Sequence, residues 1–163
     1  MIADGKNTFL FEGLNDAVIN SEIKLYHRYK EQPQELVTEL QRETIDGCCE
    51  AIFDYLTRRV HYKLDPAGKQ FIKSPARLLK DGYGDCKSLT MFIVCCLHCL
   101  GIPHIIRFVN FDGGAQYTHV YAVAIDENGR EIILDACEKD DADGLIWYDY
   151  ARPYKRKKDF YFN

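Results

Sequence analysis

A cysteine, a histidine and an aspartate follow one another along this chain, each in a setting that suits covalent chemistry. Cys86 comes directly after Gly82-Tyr83-Gly84-Asp85 and opens a long apolar run. A nucleophilic cysteine reacts as its thiolate, so its acidity must exceed that of a free thiol, whose pKa is about 8.5. A helix start helps, because unpaired N–H groups and the macrodipole favour negative charge there. The glycines allow a tight approach, and Asp85 or Gly84 can act as the helix cap. The Cys86 N–H would then also meet the oxyanion of a tetrahedral intermediate. A base has to reach the sulfur, and a third group has to orient that base. His119 in THVYAVAID and Asp135 in REIILDAC are the residues read into those two roles.

Strand geometry tests this pairing. A three-residue Glu127-Asn128-Gly129 loop with a left-handed Gly129 is a common hairpin connection. It pairs Asp126 with Arg130 and, counting back, Tyr121 with Asp135. Asp135 then shares a face with His119, one diagonal step away and within side-chain reach. A two-residue Asn-Gly loop would put Asp135 on the opposite face. The triad therefore requires the longer loop or another of odd length.

The elements that must hold these residues can be read from periodicity. A helix is expected over 15–30, capped by Asn15 or Asp16, and ended by Gln32-Pro33-Gln34. A second is expected from about Gln34 to Arg59, with an interruption placed near Gly47. VHYKLDPAGK reads as an extended piece with a turn at 65–68, and Pro75 suits the first position of a short helix, PARLLKDG. From Cys86 to Leu100 no charge follows Lys87, and Gly101-Ile102-Pro103 ends the run. A helix apolar nearly all round is a buried central helix. Three strands are expected after it, over 105–111, 118–126 and 130–137. Helices followed by an antiparallel meander indicate an α+β fold.

With 163 residues, 47% hydrophobic and 28% charged, the chain has the composition of one globular domain spanning 1–163. Its 21 basic and 25 acidic residues give a net charge of -4, which argues against nucleic acid as a partner. No apolar run is long enough for a membrane-spanning helix. The N-terminus lacks a basic region leading into an apolar stretch and a cleavage site, so a secretory signal is not expected. Seven cysteines, an odd number lying mostly in apolar segments, then read as reduced thiols of a cytoplasmic protein.

Gly84-Asp85-Cys86-Lys87 at a helix start, the stop at Gly101-Ile102-Pro103, Thr118-His119-Val120-Tyr121 and Leu134-Asp135-Ala136 together resemble the transglutaminase-like superfamily. Val60-His61-Tyr62, Ser74-Pro75 and Leu78-Leu79 resemble that family's approach to its cysteine, so the likeness covers a core of about 43–138. The resemblance implies a papain-like core, in which a buried nucleophile helix packs on an antiparallel sheet presenting histidine and aspartate. It further implies thioester chemistry on a peptide or protein amide, ending in hydrolysis or in transfer to an amine acceptor. Compact members of this kind resemble bacterial or phage-associated proteins. For the second oxyanion donor or substrate lining, the sequence offers Gln70, Tyr62, Tyr83 and Tyr121. No cofactor is expected.

Other readings compete with this one. Cys95, Cys96, His98 and Cys99 have metal-binding residue types, but one continuous helix cannot converge all four on a tetrahedral ion, so they read as small buried residues. Cys48 and Cys49 read the same way. Cys137, two residues beyond Asp135 on the same strand face, is a minor candidate to line the site or to react with Cys86 under oxidation, and Asp135 could instead cap or pair with Arg107. The aromatic and basic tail from Ala151 to Asn163 is expected to pack its rings and to leave Lys155, Arg156, Lys157 and Lys158 in solvent. The acidic stretch 138–143 reads as a solvated loop. The functional alternatives are a catalytically silent scaffold or adaptor, for phage assembly or peptide binding, and a Cys/His metal protein.

Overall fold

The computed structural model describes residues 2–3, 16–66, 69–137 and 146–163. Asn15 as a cap, half of the turn at 65–68 and the acidic loop 138–143 lie outside the described residues. The elements run β1 (Ile2–Ala3), α1 (Asp16–Tyr29), α2 (Val37–Leu40), α3 (Ile45–Arg59), β2 (His61–Tyr62), β3 (Phe71–Ile72), α4 (Pro75–Asp81), β4 (Tyr83–Gly84) and α5 (Cys86–Cys99). Strands β5 (His104–Asn110), β6 (His119–Ile125), β7 (Glu131–Leu134) and β8 (Arg156–Phe162) follow. Mixed helix and antiparallel sheet make this the expected α+β fold.

Helix α5 is the axis of the molecule. Every residue from Cys86 to Leu97 is buried, so its all-round apolar surface meets protein on each side. It ends where Gly101 takes a left-handed φ of +68° and the Ile102 N–H returns to the Leu97 carbonyl at 3.0 Å, a geometry that glycine adopts without a Cβ penalty. Helices α1, α3 and α4 pack around it, and the sheet covers the remaining side in the order β7-β6-β5-β8. On β6 the residues of the main core are Val120, Ala122 and Ala124, and two alanines let helix and strand approach closely. Thr90 Oγ1 donates to the Val120 carbonyl at 3.2 Å and fixes the helix along the strand. The alternate residues, Tyr121 and Val123, join Ile105 and Val109 in a smaller cluster on the other face.

Two expectations are corrected. The expected 34–59 helix is two helices, and the break falls at 41–44 rather than at Gly47. Thr44 is extended and accepts the Gly47 N–H at 3.0 Å, so Gly47 lies within the first turn of α3, not between helices. The C-terminal tail contains an ordered strand. β8 pairs antiparallel with β5 along its whole length, with Arg107 opposite Asp159. Arg107 Nε and Nη2 bond Asp159 at 2.8 and 2.9 Å, and its Nη1 and Nη2 bond Glu131 at 2.8 and 2.9 Å. Phe160 and Phe162 pack against the main core while Arg156, Lys157 and Lys158 stay exposed, as the tail reading expected of its basic run.

Candidate active site

The start of α5 is built by its own sequence. Asp85 is extended (φ -96°, ψ -173°), and its Oδ1 accepts the Lys87 N–H at 3.1 Å. This cap engages the amide of Lys87, not that of Cys86. Just upstream, Ser74 caps α4 and Pro75 takes its first position, and Gly82 (φ +74°) turns the chain out of the helix. Strand β4 then runs parallel to β2, with the Lys63 N–H bonded to the Gly84 carbonyl at 2.9 Å. Gly84 is required here for space. A Cβ at this position would lie 2.7 Å from Leu78 Cδ1 and 3.0 Å from Ser88 Cβ.

The hairpin has the register that the longer loop demands. Ala122 pairs with Leu134 and Ile125 with Glu131, the Asp126 N–H reaches the Arg130 carbonyl at 3.0 Å, and Gly129 is left-handed at φ +79°. His119 Nε2 and Asp135 Oδ2 are 2.6 Å apart, and Asp135 Oδ1 accepts the Cys137 N–H at 3.1 Å. Asp135 therefore pairs with His119, whereas Arg107 pairs with Asp159 and Glu131. Burial disfavours an imidazolium at His119. Hydrogen bonds to Asp135 and to Cys86 outweigh it and raise the His119 pKa well above its ordinary value. With Nε2 on Asp135, Nδ1 is the nitrogen left for the thiol. All three residues are buried, Cys86 at 7%, His119 at 8% and Asp135 at 1% exposure.

The other sequence-derived site residues divide. Tyr62 is 38% exposed as a residue, yet burial first, and then Cys86, Cys137, Asp85 and Asp135, push the pKa of its hydroxyl up. Gln70 is buried and its Oε1 has no hydrogen-bond partner. Tyr83 is exposed, and its ring meets the Lys73 ammonium at 3.6 Å. Tyr121 is buried in the cluster of Ile105, Val109 and Val123, with its ring 5.9 Å from that of His119.

Sequence reasoning missed an ionic cluster beside Cys86. Lys87, the second residue of α5, is buried, and its ammonium bonds Asp85 Oδ2 and lies 3.4 Å from Asp65 Oδ2. Asp65 also accepts the Phe71 N–H at 2.6 Å, which ties the 63–70 segment to the helix start. Burial, and then the neighbouring Asp85, push the Asp65 pKa up to about 6. Burial likewise raises the pKa of Glu22 on α1, whose two carboxyl oxygens have no partner. The available signal was the one charge in an otherwise uncharged helix.

Among the described residues, one group has the donor types and spacing to hold a metal ion: His119, Asp135 and Cys137. Cys95 and Cys96 are buried in the core, and Cys99 donates to the Lys30 carbonyl at 3.2 Å. No helix among the described residues is long and apolar enough to cross a membrane.

No protein-family model matches the sequence, and no curated protein matches it. Solved structures do match in shape. A proposed cysteine protease of Cytophaga hutchinsonii superposes with a TM-score of 0.56 at 15% identity, over 98% of this chain and 60% of that one. A proposed protease of Parabacteroides distasonis gives 0.55 at 15% identity, over 69% and 25%. Calcium-bound LapG of Legionella pneumophila gives 0.52 at 20% identity, over 89% and 83%. The chain thus spans three fifths of the first protein's length and a quarter of the second's. The chain shares its fold with these solved structures.

Proposed function

We propose that this fold carries a cysteine hydrolase or acyltransferase, with Cys86 as nucleophile, His119 as base and Asp135 as the group that orients the base. The observation that carries the reading is the 2.6 Å His119–Asp135 pair, with the same imidazole hydrogen-bonded to Cys86. The Cys86 sulfur attacks the carbonyl of a peptide or protein amide, and the Cys86 N–H donates a hydrogen bond to the oxygen on which charge develops. His119 delivers its proton to the departing amine, which leaves a thioester on Cys86. Water, or an amine acceptor, then attacks the thioester and regenerates the thiol. Asp135 holds Nε2–H, which turns Nδ1 to the sulfur and stabilises the imidazolium in between. Tyr62 and Gln70 are the side chains assigned to the substrate side of this centre. A cytoplasmic setting fits seven cysteines, all of them free thiols.

The test is alkylation by iodoacetamide at neutral pH, read for each cysteine by mass spectrometry. Cys86 should react ahead of the buried Cys48, Cys49, Cys95 and Cys96. His119→Ala should slow it on the order of 10²-fold, a typical worth of a positioned base. Turnover of peptide amides should vanish in Cys86→Ala. Alkylation of Cys86 no faster than that of the core cysteines, and unchanged by His119→Ala, would leave the silent scaffold as the better reading.

A further inference from the structure

We propose that Cys137 converts the His119–Asp135 pair into a binding site for a thiophilic divalent cation, with Zn2+ as the fitting ion. The site would regulate the proposed enzyme, and that consequence, though not the binding itself, rests on the catalytic reading above. One nitrogen of His119, one oxygen of Asp135 and the Cys137 sulfur all lie within 4.8 Å of one another. Imidazole nitrogen, carboxylate oxygen and thiolate sulfur are the donors that zinc takes, at about 2.0–2.3 Å. At those lengths tetrahedral ligands stand roughly 3.3–3.7 Å apart, so side-chain shifts of about 1 Å close the trio on an ion.

The geometry is built rather than accidental. Asp135 Oδ1 holds the Cys137 N–H at 3.1 Å while Oδ2 holds His119, so one carboxylate fixes both neighbours. Cys137 is partly exposed, which gives an ion a path in from solvent. A thiolate ligand selects against Mg2+ and Ca2+, which take oxygen donors, and favours Zn2+, Co2+ and Cd2+.

Binding has a defined consequence. The Cys137 thiol gives up its proton to solvent and its sulfur joins the ion. The 2.6 Å contact between His119 Nε2 and Asp135 is shorter than any tetrahedral edge, so the ion must part the two. His119 then loses its orienting carboxylate: its Nε2 proton passes by way of solvent to Nδ1, Nε2 takes the ion, and the resulting Nδ1–H can no longer accept the thiol proton. Occupancy switches the base off without touching Cys86.

The experiment titrates the purified full chain with Cd2+ and reads the ultraviolet sulfur-to-metal absorbance, with affinity taken from competition against a chelator. One Cd2+ per chain is expected, with the absorbance retained in Cys86→Ala. In Cys137→Ser the affinity should fall by about 100-fold or more, since loss even of an outer-shell partner costs 10–100-fold. Each variant's Cys86 alkylation rate with Zn2+ is compared with its own metal-free rate. Zinc should suppress that rate in the parent chain and leave it unchanged in Cys137→Ser. Equal Cd2+ affinity in Cys137→Ser and the parent, or no thiolate absorbance at all, overturns the inference. If absorbance appears as expected while metal-free Cys86 is unreactive, the catalytic reading fails and the metal site stands.

Discussion

Lys87 offers the sharpest test of how the nucleophile end of α5 is held. Its side chain is 3% exposed and faces Asp85 and Asp65, whose side chains are 5% and 13% exposed. Lys87→Met keeps the length and apolar stem but removes the charge, leaving two buried carboxylates side by side. Removing one partner of a buried ion pair costs about 3–5 kcal/mol. Two like charges roughly 4 Å apart repel by about 4 kcal/mol at an effective dielectric of 20, which agrees. At about 2–4 °C per kcal/mol for a chain of this size, Tm should fall by roughly 10 °C. Adding Asp65→Asn to Lys87→Met removes the repulsion and should recover most of the loss. Lys87 lowers the Asp65 pKa, so without it Asp65 takes up a proton at higher pH than the parent's value of about 6, and the single variant's deficit should shrink as the pH falls toward that value. Urea denaturation of the parent, both single variants and the double variant measures all of this. A Lys87→Met cost under about 1 kcal/mol, or a double variant no better than the single, refutes the reasoning.

Burial, only partly opposed by the bond to the Ile102 carbonyl, pushes the His104 pKa down to about 4. Its Nδ1–H donates to that carbonyl at 2.7 Å and Nε2 accepts from the Tyr26 hydroxyl at 2.9 Å, so the folded ring is neutral. Between an unfolded pKa of about 6.5 and the folded value, the unfolded chain binds more protons, so stability is lost as the pH drops through that window, by up to ~3 kcal/mol; His104→Gln should flatten the slope in urea midpoints taken from pH 7 to 4. Deleting Asn128 shortens the hairpin loop to two residues and moves Asp135 to the opposite face from His119. Cys86 alkylation should drop as far as in Asp135→Ala, and inserting a glycine after Gly129 in the deleted chain should restore it; normal reactivity after the deletion would show the register to be held by something other than the loop. Gly84→Ala forces a methyl against Leu78 and Ser88 and should cost about 1–3 kcal/mol in urea denaturation.

What could be read from the sequence was whatever local chemistry enforces. The buried helix at Cys86, its stop at Gly101 and the three strands after it follow from composition and period, and the structure has them within a residue or a few at their ends. The hairpin register was legible because a loop length fixes it. β8 was not, since three exposed basic residues open it and hide the alternation of Phe160 and Phe162. Its partner is supplied by Arg107, some fifty residues earlier, through Asp159. The break before α3 was misplaced because Gly47 drew attention from the Thr44 cap three residues before it. Lys87 was noticed as a charge in an apolar run, yet its partner Asp65 comes from a segment whose path no periodicity describes. Short-range rules put His119 and Asp135 on one face, and long-range pairing determined what surrounds them.

The site joins two halves that have no covalent reason to meet. Cys86 belongs to a helix end fixed by Asp85, Lys87 and β4, while His119 and Asp135 belong to a hairpin. What brings them together is the seating of α5 on β6, where Ala122 and Ala124 set the depth and Thr90 bonded to Val120 sets the position along the strand. A misplacement of 1 Å in such a centre costs on the order of 10²-fold in rate. The residues that tune this distance therefore lie in the core and touch no substrate. Alanine at 122 and 124 lets helix and strand lie close, and a larger residue at either position would widen the gap between the α5 start and the hairpin that carries His119.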